Sequence, residues 1–299
     1  MKNAFEVAEG IYLIDAQTWV PGYSSVYLVV GDKIALVETG LSTSADVILD
    51  GIKELGFNPG DIAYILVTHI HLDHAGAAGI LAKRIPTAQV VVHQVGAPHL
   101  IDPSRLLQSS RKALGEFGNT YGLDQIVGIE EQQVMSVDDG DLISLGWREL
   151  RIIYSPGHAS HHICIYDQRS KALFCGDTVG MYFPDGAVLA PTTPPPDFNL
   201  DTCIRTINSL RAYDIEVLLF SHFGPAREVS RIFDLAIDKL NAWAMLIRDA
   251  IAAKHSFQDI AQELCRELKR ELYMTPEWLN EQLAPVFVAG YLNYFQIKM

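Results

Sequence analysis

The most informative part of the sequence is Thr68-His69-Ile70-His71-Leu72-Asp73-His74. Three imidazoles and one carboxylate fall within six consecutive residues of it. Imidazole nitrogens and carboxylate oxygens are donors that borderline divalent cations such as zinc accept readily. A lone histidine is usually a satisfied structural residue, but four such donors at this density are hard to explain in that way. The stretch therefore predicts a metal site.

Strand patterns surround this stretch. Residues 62–67 form a continuous apolar run of strand length, as expected for a strand buried on both faces. Two earlier apolar runs, 26–30 and 34–37, predict a hairpin. Helix and strand patterns alternate in the following part of the chain, and from Glu228 onward nearly everything is typical of helix. We predict an α/β domain over residues 1–227 and a helical extension over residues 228–299.

Three further ligand-type residues follow strand patterns later in the chain. A strand is predicted over residues 143–154, and His158 comes after its apolar end at 152–154. Asp177 comes after the apolar residues 173–174, and His222 after the run 217–220. Each lies within two residues of a glycine, and loops at strand ends are where sites of α/β proteins are usually assembled. We therefore expect these three residues to converge on the metal site.

Composition narrows the possible partners. The 299 residues carry a formal net charge of −13, whereas nucleic-acid binders and proteins of anionic membrane surfaces are usually basic. The amino terminus lacks a signal pattern, and the four cysteines are scattered as in a reducing compartment. We predict a cytoplasmic protein with a small-molecule substrate and without nucleic-acid or membrane partners. A homodimer formed through apolar residues of the helical extension is left open.

The ligand pattern resembles the metallo-β-lactamase-fold superfamily, whose hallmark is His-x-His-x-Asp-His. The resemblance covers roughly residues 8–225, and the helical extension is similar to that of the glyoxalase II-like branch. It implies a four-layer αβ/βα sandwich, with residues 1–227 as the catalytic domain and the site at one edge. It also implies a first metal held by His69, His71 and His158, a second held by Asp73, His74 and His222, and Asp177 bridging both.

Two departures from the family pattern lie near these ligands. The family's Asp-x-Gly signature is Glu38-Thr39-Gly40 here, and we expect Glu38 to hold a ligand histidine from behind. The common Gly-His-Thr-x-Gly-His pattern is Gly157-His158-Ala159-Ser160-His161-His162. His162 takes the place of the family's second histidine and is expected to be structural or to support a ligand. His161 is expected at the surface or at the rim of a pocket.

The resemblance implies a binuclear metallo-hydrolase. Two ions about 3.5–4 Å apart can bridge a water and lower its pKa, which yields a hydroxide nucleophile. Asp73 would orient this hydroxide and accept its proton as the catalytic residue. The predicted cofactors are two divalent ions per chain, with zinc first and iron or manganese as alternatives. The predicted substrate is a carboxylic thioester, lactone or ester, and no substrate-binding residue is assigned.

Two other activities remain open on the same fold. The first is a phosphodiesterase, against which the acidic balance of the chain counts. The second is an oxidoreductase similar to the persulfide dioxygenases, which would bind one iron ion per chain and consume oxygen. The number and identity of the bound ions distinguish this second activity from the binuclear hydrolase.

Overall fold

The computed structural model describes residues 3–183, 188–271 and 276–297. Residues 1–2, 184–187, 272–275 and 298–299 belong to the predicted domain ranges but lie outside the described residues. The chain forms two compact units. The first consists of residues 1–154, 161–176 and 214–227, and the second of residues 155–160, 177–213 and 228–299.

The first sheet of the first unit has the strand order β1-β2-β3-β4-β5-β6-β7. Neighbours from β1 to β4 are antiparallel, and those from β4 to β7 are parallel. The predicted hairpin is the pair β3 and β4, and the predicted buried strand is β5. The bounds are β1 (Ala4–Ala8), β2 (Ile11–Asp15), β3 (Ser25–Val30), β4 (Ile34–Val37), β5 (Ile62–Leu66), β6 (Gln89–His93) and β7 (Val134–Val137).

Helices cover one face of this sheet. The helix α1 has Asp46 in its first turn and Lys53 in its last, which complements the helix dipole, and it buries Ile48 and Ile52. Those side chains share an apolar cluster with Leu81 of α3 and with one face of the sheet. The bounds are α1 (Ala45–Glu54), α2 (Leu72–Ala75), α3 (Ala78–Arg84), α4 (Ala97–Ile101) and α5 (Ser104–Leu114).

The second sheet packs on the opposite face of the first. A second apolar cluster joins Tyr27 and Val91 of the first sheet to Ile152 and Phe174 of the second. The predicted strand 143–154 is wrong as one element, because Gly146 adopts φ 87° and turns the chain between β8 and β9. The bounds are β8 (Leu142–Ser144), β9 (Glu149–Tyr154), β10 (Ile163–Asp167), β11 (Ala172–Gly176), β14 (Val217–Phe220) and β15 (Pro225–Ala226).

The second unit is mainly helical. Asn199 caps α6 by accepting a hydrogen bond from the amide of Thr202, and Tyr291 of α9 donates to the carbonyl of Leu240 in α7. Its elements are β12 (Met181–Phe183), β13 (Val188–Ala190), α6 (Leu200–Leu210), α7 (Val229–Ala252), α8 (Phe257–Glu271) and α9 (Glu277–Tyr294).

The α/β class and the carboxyl-terminal helices predicted from sequence are confirmed. The first unit by itself supplies a helical layer and two packed sheets. None of the helices among the described residues combines the length and apolar character needed to cross a membrane.

Candidate metal centre

The metal-binding stretch lies between the end of β5 and the first turn of α2. His71 has an extended backbone and starts α2, so that Asp73 and His74 project from its first turn. Gly76 follows directly after α2, at a point where the backbone of residues 40–42 comes close. A side chain there would overlap the carbonyl of Leu72 and the amide of Ser42. Local backbone geometry therefore brings the donors of this stretch to one edge of the sheet.

His69 and His71 form the first donor pair. The Nε2 atom of His69 lies 2.9 Å from Nδ1 of His71. Nδ1 of His69 lies 3.1 Å from Oγ1 of Thr68, and that hydroxyl donates its only proton to the Glu38 carboxylate at 2.5 Å. Because the Thr68 oxygen must then accept from His69, the ring proton of His69 is on Nδ1. The lone pair of His69 is therefore on Nε2, the atom next to His71.

Asp73, His74 and His222 form a second donor set within the first unit. Oδ2 of Asp73 lies 3.8 Å from Nε2 of His74 and 3.8 Å from Nε2 of His222. Ligand atoms around a tetrahedral zinc ion, each at about 2.1 Å from it, lie about 3.4 Å apart. Both the kinds of donor and their separations therefore fit a divalent ion.

A backbone carbonyl holds His222 in a ligand tautomer. Nδ1 of His222 lies 3.0 Å from the carbonyl oxygen of Tyr23, and because a carbonyl can only accept, Nδ1 carries the proton. Nε2 is then the nitrogen that can bind an ion. The Tyr23 ring also packs on His222, with ring centroids 4.6 Å apart. Tyr23 was not predicted from the sequence, because its backbone carbonyl and not its side chain holds His222, and no sequence pattern marks a backbone contact.

Glu38 lies behind both donor sets. Its Oε1 accepts hydrogen bonds from Thr68 and from Ser221, at 2.5 and 2.9 Å, and lies 3.4 Å from Nδ1 of His74. The carboxylate is buried, and its backbone adopts φ 71°, which is uncommon for a residue other than glycine. The longer side chain of glutamate thus orients His74 directly and His69 through Thr68.

Glu38→Ala is expected to lower the metal affinity of the protein by about 10–100-fold, because His69 and His74 lose the partner that sets their ring orientation. Titration with a competing chelator measures this affinity. Glu54→Ala, on the exposed end of α1, is the matched control and should leave the affinity unchanged. An affinity within threefold of the original protein in Glu38→Ala would contradict the orienting role.

The second unit contains the other two predicted ligands, His158 and Asp177. Nε2 of His158 lies 3.6 Å from Oδ2 of Asp177, and both side chains are buried. Nδ1 of His158 donates to the carbonyl of Thr192 at 2.9 Å, which again leaves Nε2 as the binding nitrogen. Gly157 is required before His158 because a side chain there would collide with the backbone of Cys203. Burial raises the pKa of the Cys203 thiol to about 12, so this thiol stays neutral near pH 7.

The two consecutive histidines 161 and 162 are both buried. The His162 ring stacks on His69, with centroids 4.8 Å apart, and a side chain at Gly176 would collide with it. The His161 side chain is 8% exposed to solvent, and its ring lies beside those of His69 and His71. His161 is therefore buried and not at the surface, which was one of the two positions expected for it.

Comparisons with known proteins identify the family of the chain. The family profile described as "Metallo-beta-lactamase superfamily" matches residues 19–222. The metallo-beta-lactamase fold-containing protein ST1585 of Sulfurisphaera tokodaii is 32% identical over 180 residues, which cover 58% of this chain and 63% of that protein. A solved structure of ST1585 superposes with a TM-score of 0.65 at 27% identity, covering 77% of this chain and 85% of that one.

Two further relatives carry names that state an activity. The human acyl-coenzyme A thioesterase MBLAC2 is 25% identical over 276 residues, covering 85% of this chain and 92% of the relative. The hydroxyacylglutathione hydrolase of Francisella philomiragia is 29% identical over 153 residues, covering 51% of this chain and 46% of the relative. The matches to ST1585 and to the Francisella enzyme thus span less than two thirds of those proteins.

Proposed function

Because the chain belongs to the metallo-β-lactamase superfamily, we propose that it is a binuclear metal-dependent hydrolase that cleaves carboxylic thioesters. The observation that carries this proposal is the match to an acyl-coenzyme A thioesterase over 85% of this chain and 92% of that enzyme. The hydroxyacylglutathione hydrolase also acts on an acyl group joined to a thiol carrier, which supports the same substrate class.

The proposed ligands are the seven residues that the family resemblance implies. His69, His71 and His158 would hold a first ion, Asp73, His74 and His222 would hold a second, and Asp177 would be a ligand of both. The orientation of the imidazoles supports this assignment, since the proton positions of His69, His158 and His222 each direct Nε2 to binding. Zinc is the proposed metal, because a donor set of imidazoles and carboxylates suits it.

Divalent ions bound there would lower the pKa of water and polarise the substrate carbonyl. Asp73 accepts the proton of the attacking water. Its carboxylate is suited to this role because it is partly exposed, with 15% of the side-chain surface accessible. The oxygen of that water bonds to the acyl carbon, and the carbon–sulfur bond breaks with its electron pair on sulfur. Since thiols have a pKa near 8.5, the thiolate leaves without a strong acid. The products are a carboxylate and a thiol.

A cytoplasmic location is part of the same proposal. All four cysteines are buried thiols, as expected of a protein from a reducing compartment. Their burial also simplifies the assay, because a reagent that detects released thiols reacts slowly with the folded protein.

The test is a substrate panel at neutral pH, with acyl-coenzyme A and acylglutathione thioesters, a lactone, an oxygen ester and an aryl phosphodiester. We expect kcat/KM for the best thioester to exceed that for the oxygen ester and the phosphodiester by about 100-fold, equivalent to roughly 2.7 kcal/mol of transition-state binding. Preferential cleavage of the phosphodiester would replace the proposal with a phosphodiesterase. Oxygen uptake with a persulfide, together with one iron ion per chain, would replace it with a dioxygenase.

A further inference from the structure

The carboxyl-terminal helix α9 packs on the loop of residues 191–196 within the second unit. Oγ1 of Thr193 donates a hydrogen bond to the backbone carbonyl of Phe287 at 3.0 Å, and the side-chain amide of Asn293 donates to the carbonyl of Pro196 at 2.6 Å. Thr193 is fully buried, where a hydroxyl without a partner would be costly. The helix therefore holds the loop at two points.

Gly290 of α9 allows the loop to approach the helix closely. A Cβ atom at this position would overlap the carbonyl oxygen of Thr193 and would lie only 2.7 Å from its carbonyl carbon. Both atoms belong to the backbone, which cannot move aside as the end of a flexible side chain can. Alanine favours a helix more than glycine does, so the helix alone gives no reason for glycine here. The reason is the contact with the loop.

The same loop contacts both proposed ligands of the second unit. The carbonyl of Thr192 accepts a hydrogen bond from Nδ1 of His158 at 2.9 Å, and Oγ1 of Thr192 donates to the backbone carbonyl of Asp177 at 3.1 Å. All three residues are buried. Because Thr192 and Thr193 are consecutive and the peptide bond between them is planar, a displacement of Thr193 also moves the Thr192 groups that contact these two ligands.

We propose that α9 is a positioning element of the metal centre, which orients His158 and Asp177 through the 191–196 loop. This inference rests on the proposed function, in which both residues are ligands. The helix acts by fixing the Thr192 carbonyl, which sets the ring orientation of His158, and not by supplying a ligand. Loss of such an outer partner typically lowers metal affinity by about 10–100-fold. The helical extension thus has a role in metal binding as well as in packing.

Three variants of the full-length protein test this contact. Gly290→Ala adds one carbon atom against the Thr193 carbonyl. Thr193→Val keeps the shape of threonine but removes the hydroxyl that binds α9, whereas Thr193→Ser keeps that hydroxyl. Gln282→Ala, on the exposed side of the same helix, is the control. Zinc affinity is measured by competition with a chelator, and the melting temperature of each protein is measured with and without zinc.

We expect Gly290→Ala to lower zinc affinity by about 10-fold or more and Thr193→Val by roughly fivefold or more. Thr193→Ser and Gln282→Ala should stay within about twofold of the original protein. The rise in melting temperature on zinc addition should shrink in the first two variants, because stabilisation by a ligand follows its affinity. A purely structural contact predicts a different result, in which the melting temperature falls equally with and without zinc and the affinity is unchanged.

An unchanged zinc affinity in Thr193→Val would overturn the positioning role, and so would an equal loss of affinity in Thr193→Ser. This pair decides the question if Gly290→Ala does not fold. An original protein that binds no divalent ion, or a His158→Ala variant with the original zinc affinity, would overturn the ligand assignment and the role of α9 with it. An original protein that binds zinc but hydrolyses none of the thioesters overturns only the thioesterase assignment, because the role of α9 is measured by affinity.

Discussion

Asp73→Asn should lower kcat for thioester hydrolysis by about 10³-fold or more. Asparagine keeps the size and shape of aspartate but cannot take a proton from the attacking water, and its neutral amide oxygen is a weaker ligand. The Asp73 carboxylate lies 3.8 Å from the Nε2 atoms of both His74 and His222, so the substitution removes the negative charge from that set. Steady-state kinetics with the best thioester measure the effect.

Two measurements accompany this prediction. The metal content of the variant is determined at saturating zinc. If Asp73 accepts the proton of the attacking water, kcat must fall even in protein that carries its ions. Asp50→Asn is the matched control, since Asp50 lies on the exposed side of α1 and pairs with Lys53. A kcat within tenfold of the original value in fully loaded Asp73→Asn would show that another group accepts the proton.

Removal of metal should abolish the activity, and protein isolated without added metal should contain about two divalent ions per chain. Dialysis against a chelator would remove the divalent cations and leave the buried imidazoles and carboxylates without their positively charged partner. We therefore expect loss of turnover together with a lower melting temperature, since an ion that binds only the folded state stabilises it. Zinc added back should restore both properties.

His222→Ala tests whether two ions are needed. The substitution removes one nitrogen from the second donor set and leaves the His69–His71 pair intact. We expect the content to fall from about two ions per chain to about one, with kcat reduced by about 10³-fold, the kinetic equivalent of roughly 4 kcal/mol. His255→Ala should retain both ions. A single iron ion per chain in the original protein would instead support the mononuclear dioxygenase.

The sequence was most informative where ligands are close together along the chain. His69, His71, Asp73 and His74 follow one strand within six residues, so local backbone geometry suffices to bring them to one sheet edge. The other three candidates also follow strands, as predicted: β9 precedes His158, β11 ends just before Asp177, and β14 ends just before His222. These assignments need only the periodicity of apolar residues and the turn chemistry of glycine.

Contacts between distant parts of the chain were not predictable in the same way. Glu38 was expected to support one ligand histidine. Its Oε1 instead accepts hydrogen bonds from Thr68 and from Ser221, which is 183 residues away along the chain, and it also lies beside His74. Tyr23 holds His222 through a backbone carbonyl across 199 residues. No local pattern encodes such contacts, because they depend on how β3, β4, β5 and β14 pack together.

Sequence patterns alone were therefore enough to predict the family, the α/β class with its helical tail, and the kinds of donor available for a metal site. The tertiary structure decided which nitrogen of each histidine carries the proton, how far Glu38 reaches, and that His161 is buried beside His69 rather than exposed. The physical reason is that donor identity is a property of a residue. Tautomer, orientation and burial are instead set by neighbours that only the packed sheets bring within hydrogen-bond distance.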